Sequence, residues 1–272
     1  RYKSWCYKTL AHLYYLTGDY SHAQKIYDDV LSKREIVWAR LGLGQIQMGK
    51  QQYAEAIEHF KKVITDNPDY VEAYDYLSSA YEKLGKRKEA QDTLQQAVAI
   101  TPRAIPRQQH LGEICNSNQD MESAISAYRA TVKHGTYSIH DSSDNYLNLG
   151  RCLSDTSEGD DSEKAKEYAK EAINILDKAI RKYDSDEVKA SANLIEARVH
   201  MGQNDEAASR ASFAKAESLI DESTVDAETG IEFAKTLYRL NETERAEKML
   251  HKLAQRFDGD KNIISSIEEL LD

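Results

Sequence analysis

The sequence predicts an all-α solenoid, a stack of helix pairs in which each pair packs on its neighbours. Three observations carry this. Apolar residues recur three and four apart in segments long enough for helices. One two-helix pattern returns at intervals of 33 to 34 residues. Three prolines and twelve glycines in 272 residues leave little material for long irregular linkers.

The pattern is clearest in Val71 to Pro102. Tyr74, Leu77, Ser78 and Tyr81 fall on one face of a leading helix, and a turn follows at Gly85-Lys86. Ala90, Leu94 and Ala97 fall on one face of a trailing helix that Pro102 must stop. Small Ser78 and Ala90 stand where two backbones come close, with larger residues around them. This spacing resembles the tetratricopeptide repeat, a helix–turn–helix unit of 34 residues. The resemblance implies a right-handed superhelix that binds proteins, with the leading helices lining its concave side.

The first repeat places Tyr7, Leu10, Ala11 and Tyr14 on its leading helix, turns at Gly18-Asp19-Tyr20, and continues with Ala23, Tyr27 and Val30. The second has Leu43-Gly44, Tyr53, Ala56, Phe60, Val63 and Pro68, with Trp38 two positions away from the family's usual aromatic. The fourth has Leu111-Gly112, Cys115, Met121, Ala124, Tyr128 and Thr131, and no closing proline. The alanines that open the trailing helices, Ala23, Ala56, Ala90 and Ala124, are 33, 34 and 34 apart.

Residues 1–138 therefore read as four regular repeats, and residues 139–260 as three longer, irregular ones. His134-Gly135 ends a helix ahead of the polar loop Thr136 to Asp144. Tyr146, Leu149, Gly150 and Leu153 restart a leading helix. A second polar insertion runs from Ser154 to Ser162, with Asp161 or Ser162 as N-cap for a long trailing helix through Ala165, Ala169, Ala172 and Leu176 toward Tyr183. Repeat six is read as Leu194, Ala197, Gly202, Ala207, Ala211 and Ala214, and repeat seven as Phe233, Ala234, Leu237, Ala246, Leu250 and Leu253. The opening alanines are now 41, 42 and 39 apart. Residues 261–272 form a C-terminal capping helix, with Ile263, Ile264, Ile267, Leu270 and Leu271 against the last repeat and Glu268 and Glu269 outward. Tyr2 and Trp5 have no comparable lid, so a further segment or domain is expected before Arg1.

Formal net charge is −10, which argues against nucleic acid and against a basic membrane-binding surface. The acidity is concentrated: residues 1–138 carry +2 (18 basic against 16 acidic) and residues 139–272 carry −12 (18 against 30). Cys6, Cys115 and Cys152 are odd in number and widely spaced, and are expected as buried, reduced thiols of a cytoplasmic protein. No apolar run is long enough to span a membrane.

The sequence carries no HExxH, P-loop, GxSxG or strand-linked GxGxxG signature. None of the eight histidines lies three or four residues from another histidine or a cysteine, as a helical metal site requires. The adjacent pairs Asp28-Asp29 and Asp160-Asp161 read as solvated surface. The reading is a binding module with no catalytic residues and no cofactor.

Threading the repeat gives the groove lining. Repeat one contributes Trp5, Lys8, Thr9, His12 and Tyr15, and repeat two contributes Trp38, Leu41, Gln45 and Met48. Repeat three adds Glu72, Asp75, Tyr76, Ser79 and Glu82, and repeat four adds Gln109, His110, Glu113 and Asn116. Later repeats add Asn148, Arg151, Asn193, Glu196, Glu232, Lys235 and Tyr238. Some family members clamp the terminal carboxylate of a chaperone peptide with Lys, Asn and Arg. Here only Lys8 matches, His12, Gly42, Glu72 and Tyr76 stand at the other clamp positions, and Glu72 would repel a carboxylate. The aromatic floor instead suits an amphipathic helix, a peptide or a folded domain of a protein partner. Trp5 and Trp38 have a second reading, as filler between adjacent repeats. A homodimer through the open N-terminal face is the alternative function.

A closer resemblance covers about residues 37 to 155. Trp38–Gly42 (WARLG), Ala90–Glu113 and His134–Leu153 resemble the region that follows the receiver domain in bacterial response regulators with tetratricopeptide repeats. The resemblance implies the output region of a two-component signalling protein, with phosphorylation upstream gating access to a protein partner.

Overall fold

In the computed structural model the described residues are 2–136, 138–158, 162–222 and 224–271, with the side chains of residues 2–4 left aside. Among them fifteen helices follow one another and no strand is present. They fall into pairs: α1 (Tyr2–Leu16) with α2 (Tyr20–Lys33), α3 (Val37–Gly49) with α4 (Tyr53–Asp66), α5 (Val71–Lys83) with α6 (Arg87–Ile100), and α7 (Ile105–Ser117) with α8 (Met121–Gly135). The longer pairs are α9 (Ser143–Ser157) with α10 (Glu163–Lys182), α11 (Asp186–Gly202) with α12 (Glu206–Glu217), and α13 (Ala227–Arg239) with α14 (Thr243–Arg256). The last helix, α15 (Lys261–Leu271), packs on the final pair. This is the solenoid of seven helix pairs and a cap that the periodicity predicts. The chain divides into unit 1, residues 1–131, and unit 2, residues 132–272.

The turn inside each repeat shows why the period holds. Gly18, Gln51, Gly85, Gln119, Asn204 and Asn241 all have positive φ, between 60° and 77°. At each, the following residue donates its N–H to a carbonyl five residues back, at 2.8–2.9 Å, as in Lys86→Tyr81 and Asp205→His200. That donor is also the N-cap of the trailing helix at Asp19, Gln52, Lys86, Asp205 and Glu242. Asp19 and Asp205 accept from the N–H groups of His22 and Ala208 in turn. One residue thus closes one helix and opens the next.

Small residues seven positions before each such turn residue set how closely the paired helices pack. They are Ala11, Gly44, Ser78, Gly112, Ala197 and Ala234, all buried. A Cβ built on Gly44 would stand 2.4 Å from the buried Phe60 ring, so only glycine fits there. Ser78 Oγ donates to the Ala90 carbonyl at 3.1 Å across the same contact.

Three expectations change, and one choice between alternatives is decided. In α12 the buried residues are Ser209, Ser212, Phe213 and Ala216, while Ala207, Ala211 and Ala214 are exposed. The true partner of Ala197 is Ser209, whose Oγ donates to the Ala197 carbonyl at 2.8 Å. An alanine in the sequence concealed a hydroxyl-bearing small residue two positions on. The insertion after Leu153 begins as helix, because α9 runs to Ser157 with Ser154 and Ser157 buried. Their hydroxyls can serve helix carbonyls, as Ser157 does to Ser154 at 2.9 Å. Cys6 is exposed, unlike buried Cys115 and Cys152, because no described helix lies against that face of α1. Of the two N-cap candidates, Ser162 accepts from the Ala165 N–H at 3.1 Å. Asp160 and Asp161 lie outside the described residues.

The turn account is testable at two positions. Gly85 has open space around its missing Cβ, so Gly85→Ala should cost only backbone strain, about 1 kcal/mol. Gln119→Gly should instead stabilise by up to about 1 kcal/mol. Urea unfolding followed by circular dichroism measures both; equal effects of one sign would reject the account.

Candidate functional site

The aromatic residues of the leading helices converge in unit 1. Tyr76 on α5 stacks on Phe60 of α4 with centroids 5.5 Å apart and planes at 18°. Gln45 of α3 hydrogen-bonds its hydroxyl, while burial is the main cause that holds its pKa above the ordinary tyrosine value. Tyr15 on α1 is likewise raised, first by burial and then by the neighbouring hydroxyls of Tyr76 and Tyr20. Tyr76 lies on α5 and Tyr20 at the start of α2. Trp38 meets Tyr27 edge-on at 6.0 Å and is half-buried, so it both packs between repeats and presents surface. Met48 and Gln45 are half-buried beside them.

Other expected groove residues take different places. Leu41 is 4% exposed and belongs to the packing between helices. Trp5, Lys8 and His12 are exposed on α1, with Trp5 at 66%. Ser79 and Gln109 are half-buried and Glu113 is exposed. Asp75 is engaged: Arg107 of α7 donates Nε and Nη2 to its two oxygens, each at 2.7 Å. Glu72 is exposed and accepts from the Tyr70 hydroxyl at 3.1 Å. Glu82 meets His110 of α7 at 2.8 Å, and this contact outweighs burial to hold His110 above its usual pKa.

In unit 2 several leading-helix charges pair with one another, although Glu196 meets only His200, at 3.8 Å. Arg198 of α11 is 7% exposed and reaches Glu232 of α13 at 2.7 Å and Asp155 of α9. Burial keeps Asp155 above the usual carboxylate range despite Arg198. The same arginine, with Lys235, outweighs burial at Glu232 and lowers it. Arg151 pairs with Glu228 at 2.6 Å and donates to Asn148 at 2.9 Å, and Arg239 pairs with Glu158 at 2.9 Å. Asn193 is buried and donates to the Lys189 carbonyl. Threading missed Arg198 and Asp155. The displaced register of repeat six hid the first, and the second sits in what read as a loop. Among the described residues no group of three His, Cys, Asp or Glu side chains could hold a metal ion. Nor is any helix among them long and apolar enough to cross a membrane.

Sequence profiles described as Tetratricopeptide repeat match residues 8–71 and 47–113. Together the two matches run over residues 8–113. Over 132 residues, 47% of this chain, the sequence is 28% identical to Protein CTR9 homolog of Arabidopsis thaliana. Over 85 residues, 31% of the chain, it is 27% identical to Hsp70-Hsp90 organizing protein 3 of the same plant. These matches span 12% and 15% of those proteins, so the chain corresponds to a small part of either. A tetratricopeptide repeat protein from Parabacteroides merdae superposes over 98% of both chains, with a TM-score of 0.58 at 14% identity. That likeness concerns the fold and extends it across the less regular unit 2. The tetratricopeptide scaffold is a protein-binding one.

Two outcomes test this electrostatic description. Arg198→Ala leaves the buried Glu232 carboxylate with only Lys235, 3.7 Å away, and should destabilise by about 2 kcal/mol. The measurement needs circular dichroism, because both tryptophans lie in unit 1. His110 should titrate above about 6.5 by NMR. Its stabilising contribution is full below that unfolded value and vanishes as pH rises through the folded one. The stability gap between the natural protein and His110→Gln should therefore close on going from pH 6 toward pH 9. A gap that widens would reverse the assignment.

Proposed function

We propose that the chain is a protein-interaction module that holds an apolar helix or peptide of a partner in the groove of unit 1. The observation that carries this is one half-buried aromatic residue on each of three successive leading helices, Tyr15, Trp38 and Tyr76, which we take as an aromatic ledge. Such rings give large contact area at low entropic cost and commonly anchor interfaces. The internally paired charges of unit 2 leave that unit less suited to the role. The groove residues Trp5, Lys8, His12, Gln45, Met48 and Ser79 flank the ledge. A relative named for organizing Hsp70 and Hsp90 supports binding of proteins as the general role. The finer context, the output region of a cytoplasmic two-component signalling protein, rests on the resemblance of residues 37 to 155 to response regulators. Affinity capture tests the groove. Trp38→Ala with Tyr76→Ala should abolish capture of the partner held by the natural chain while helicity stays intact. Undiminished capture would reject the assignment.

A second reading, self-association, has its own observation. Cys6, Leu10 and Leu13 on α1 occupy the positions of Ala39, Leu43 and Ile46 on α3 and of Ala73, Leu77 and Ala80 on α5. Those residues are buried, whereas Cys6 and its companions are exposed, along with Trp5 and Leu16. Sedimentation equilibrium decides. A dimer that Leu13→Glu dissociates supports this reading, and a monomer across the concentration range removes it.

A further inference from the structure

We infer that the segment taken by the groove carries lysine or arginine, seated over repeats three and four beside the apolar side chains that rest on the aromatic ledge. This rests on the groove reading above and names the chemistry of its occupant. Some leading-helix carboxylates hold an arginine and others do not: Glu196 of α11 in unit 2, for example, meets only His200, at 3.8 Å. In unit 2, Asp155, Glu158, Glu228 and Glu232 each have an arginine partner within the unit. In unit 1, Asp75 has Arg107, but Glu72, Glu82 and Glu113 pair with no lysine or arginine among the described residues. Glu82 has only the titratable His110, and its buried Oε1 accepts no aligned hydrogen bond.

These acids do not simply dot an open surface. Glu82 and Glu113 line a cleft of about 360 Å³, together with Ile114 and Ser117. Arg87 also lines this cleft, yet makes no ion pair among the described residues. A lysine or arginine could lay its methylene stem against Ile114 and bring its charged head to the two carboxylates. The charges also give the groove a direction. Lys8 lies on α1, the rings on α1, α3 and α5, and the unpaired carboxylates on α5 and α7. A bound segment therefore places its apolar anchors over repeats one to three and its basic residue over repeats three and four.

The test is selection from a library of random peptides displayed on phage, panned on the full chain. Enriched peptides should combine aromatic or aliphatic residues with a neighbouring lysine or arginine. A synthetic peptide of the winning sequence should bind about tenfold more weakly to the Glu82→Gln, Glu113→Gln variant. It should bind unchanged to Glu55→Gln, Glu58→Gln, which removes the same charge from exposed positions on α4. Equal weakening by both variants would mean nonspecific attraction to an acidic protein and overturns the proposal. So would enrichment of neutral or acidic peptides, or no enrichment at all. If basic peptides win but Trp38→Ala with Tyr76→Ala leaves their affinity intact, the groove reading fails with it. If neutral peptides win and lose affinity in that variant, the groove stands and the cation does not.

Discussion

Everything in this chain depends on how closely a leading helix approaches its trailing partner. Ala11, Gly44, Ser78, Gly112, Ala197 and Ala234 answer Ala23, Ala56, Ala90, Ala124, Ser209 and Ala246, and all of these are buried. A larger side chain at such a point meets a buried neighbour directly, as Phe60 stands against Gly44. Close packing of this kind tolerates little added volume, since overpacked cores distort. The left-handed turn residue seven positions on then returns the chain at a fixed angle. Distance and turn together define the repeat, and the repeat places one face of each leading helix toward the groove.

Much of this was legible because it is local. Spacing, the opening alanines and the scarcity of proline each act within one repeat, where a sequence can be read directly. The turn residues were harder to see. Glutamine at 51 and 119 and asparagine at 204 and 241 adopt a conformation usually signalled by glycine, so composition alone hides four of six equivalent positions. Repeat six went wrong for a related reason. Ser209 does the work of an alanine by hydrogen-bonding the Ala197 carbonyl, and the exposed Ala207 nearby was the more obvious candidate.

The leading-helix face was legible as a set of positions but not as a set of states. Sequence placed Asp75, Arg151 and Tyr76 on the leading-helix face. It could not show that Arg107 already holds Asp75, or that Glu228 holds Arg151. Such pairings join residues on different helices, 32 positions apart in one case and 77 in the other. In unit 2 they give Glu228, Glu232 and Glu158 an arginine each, whereas in unit 1 Glu72, Glu82 and Glu113 have none among the described residues. Leu41 shows the converse, because a groove position by threading is a buried packing residue in the structure.

The central claim is that the leading helices of unit 1 touch another protein. Hydrogen–deuterium exchange on the captured complex tests it most directly. Slowed exchange confined to α1, α3, α5 and α7 is the result expected. Slowed exchange on α2, α4 and α6, or across unit 2 with unit 1 unchanged, would contradict it.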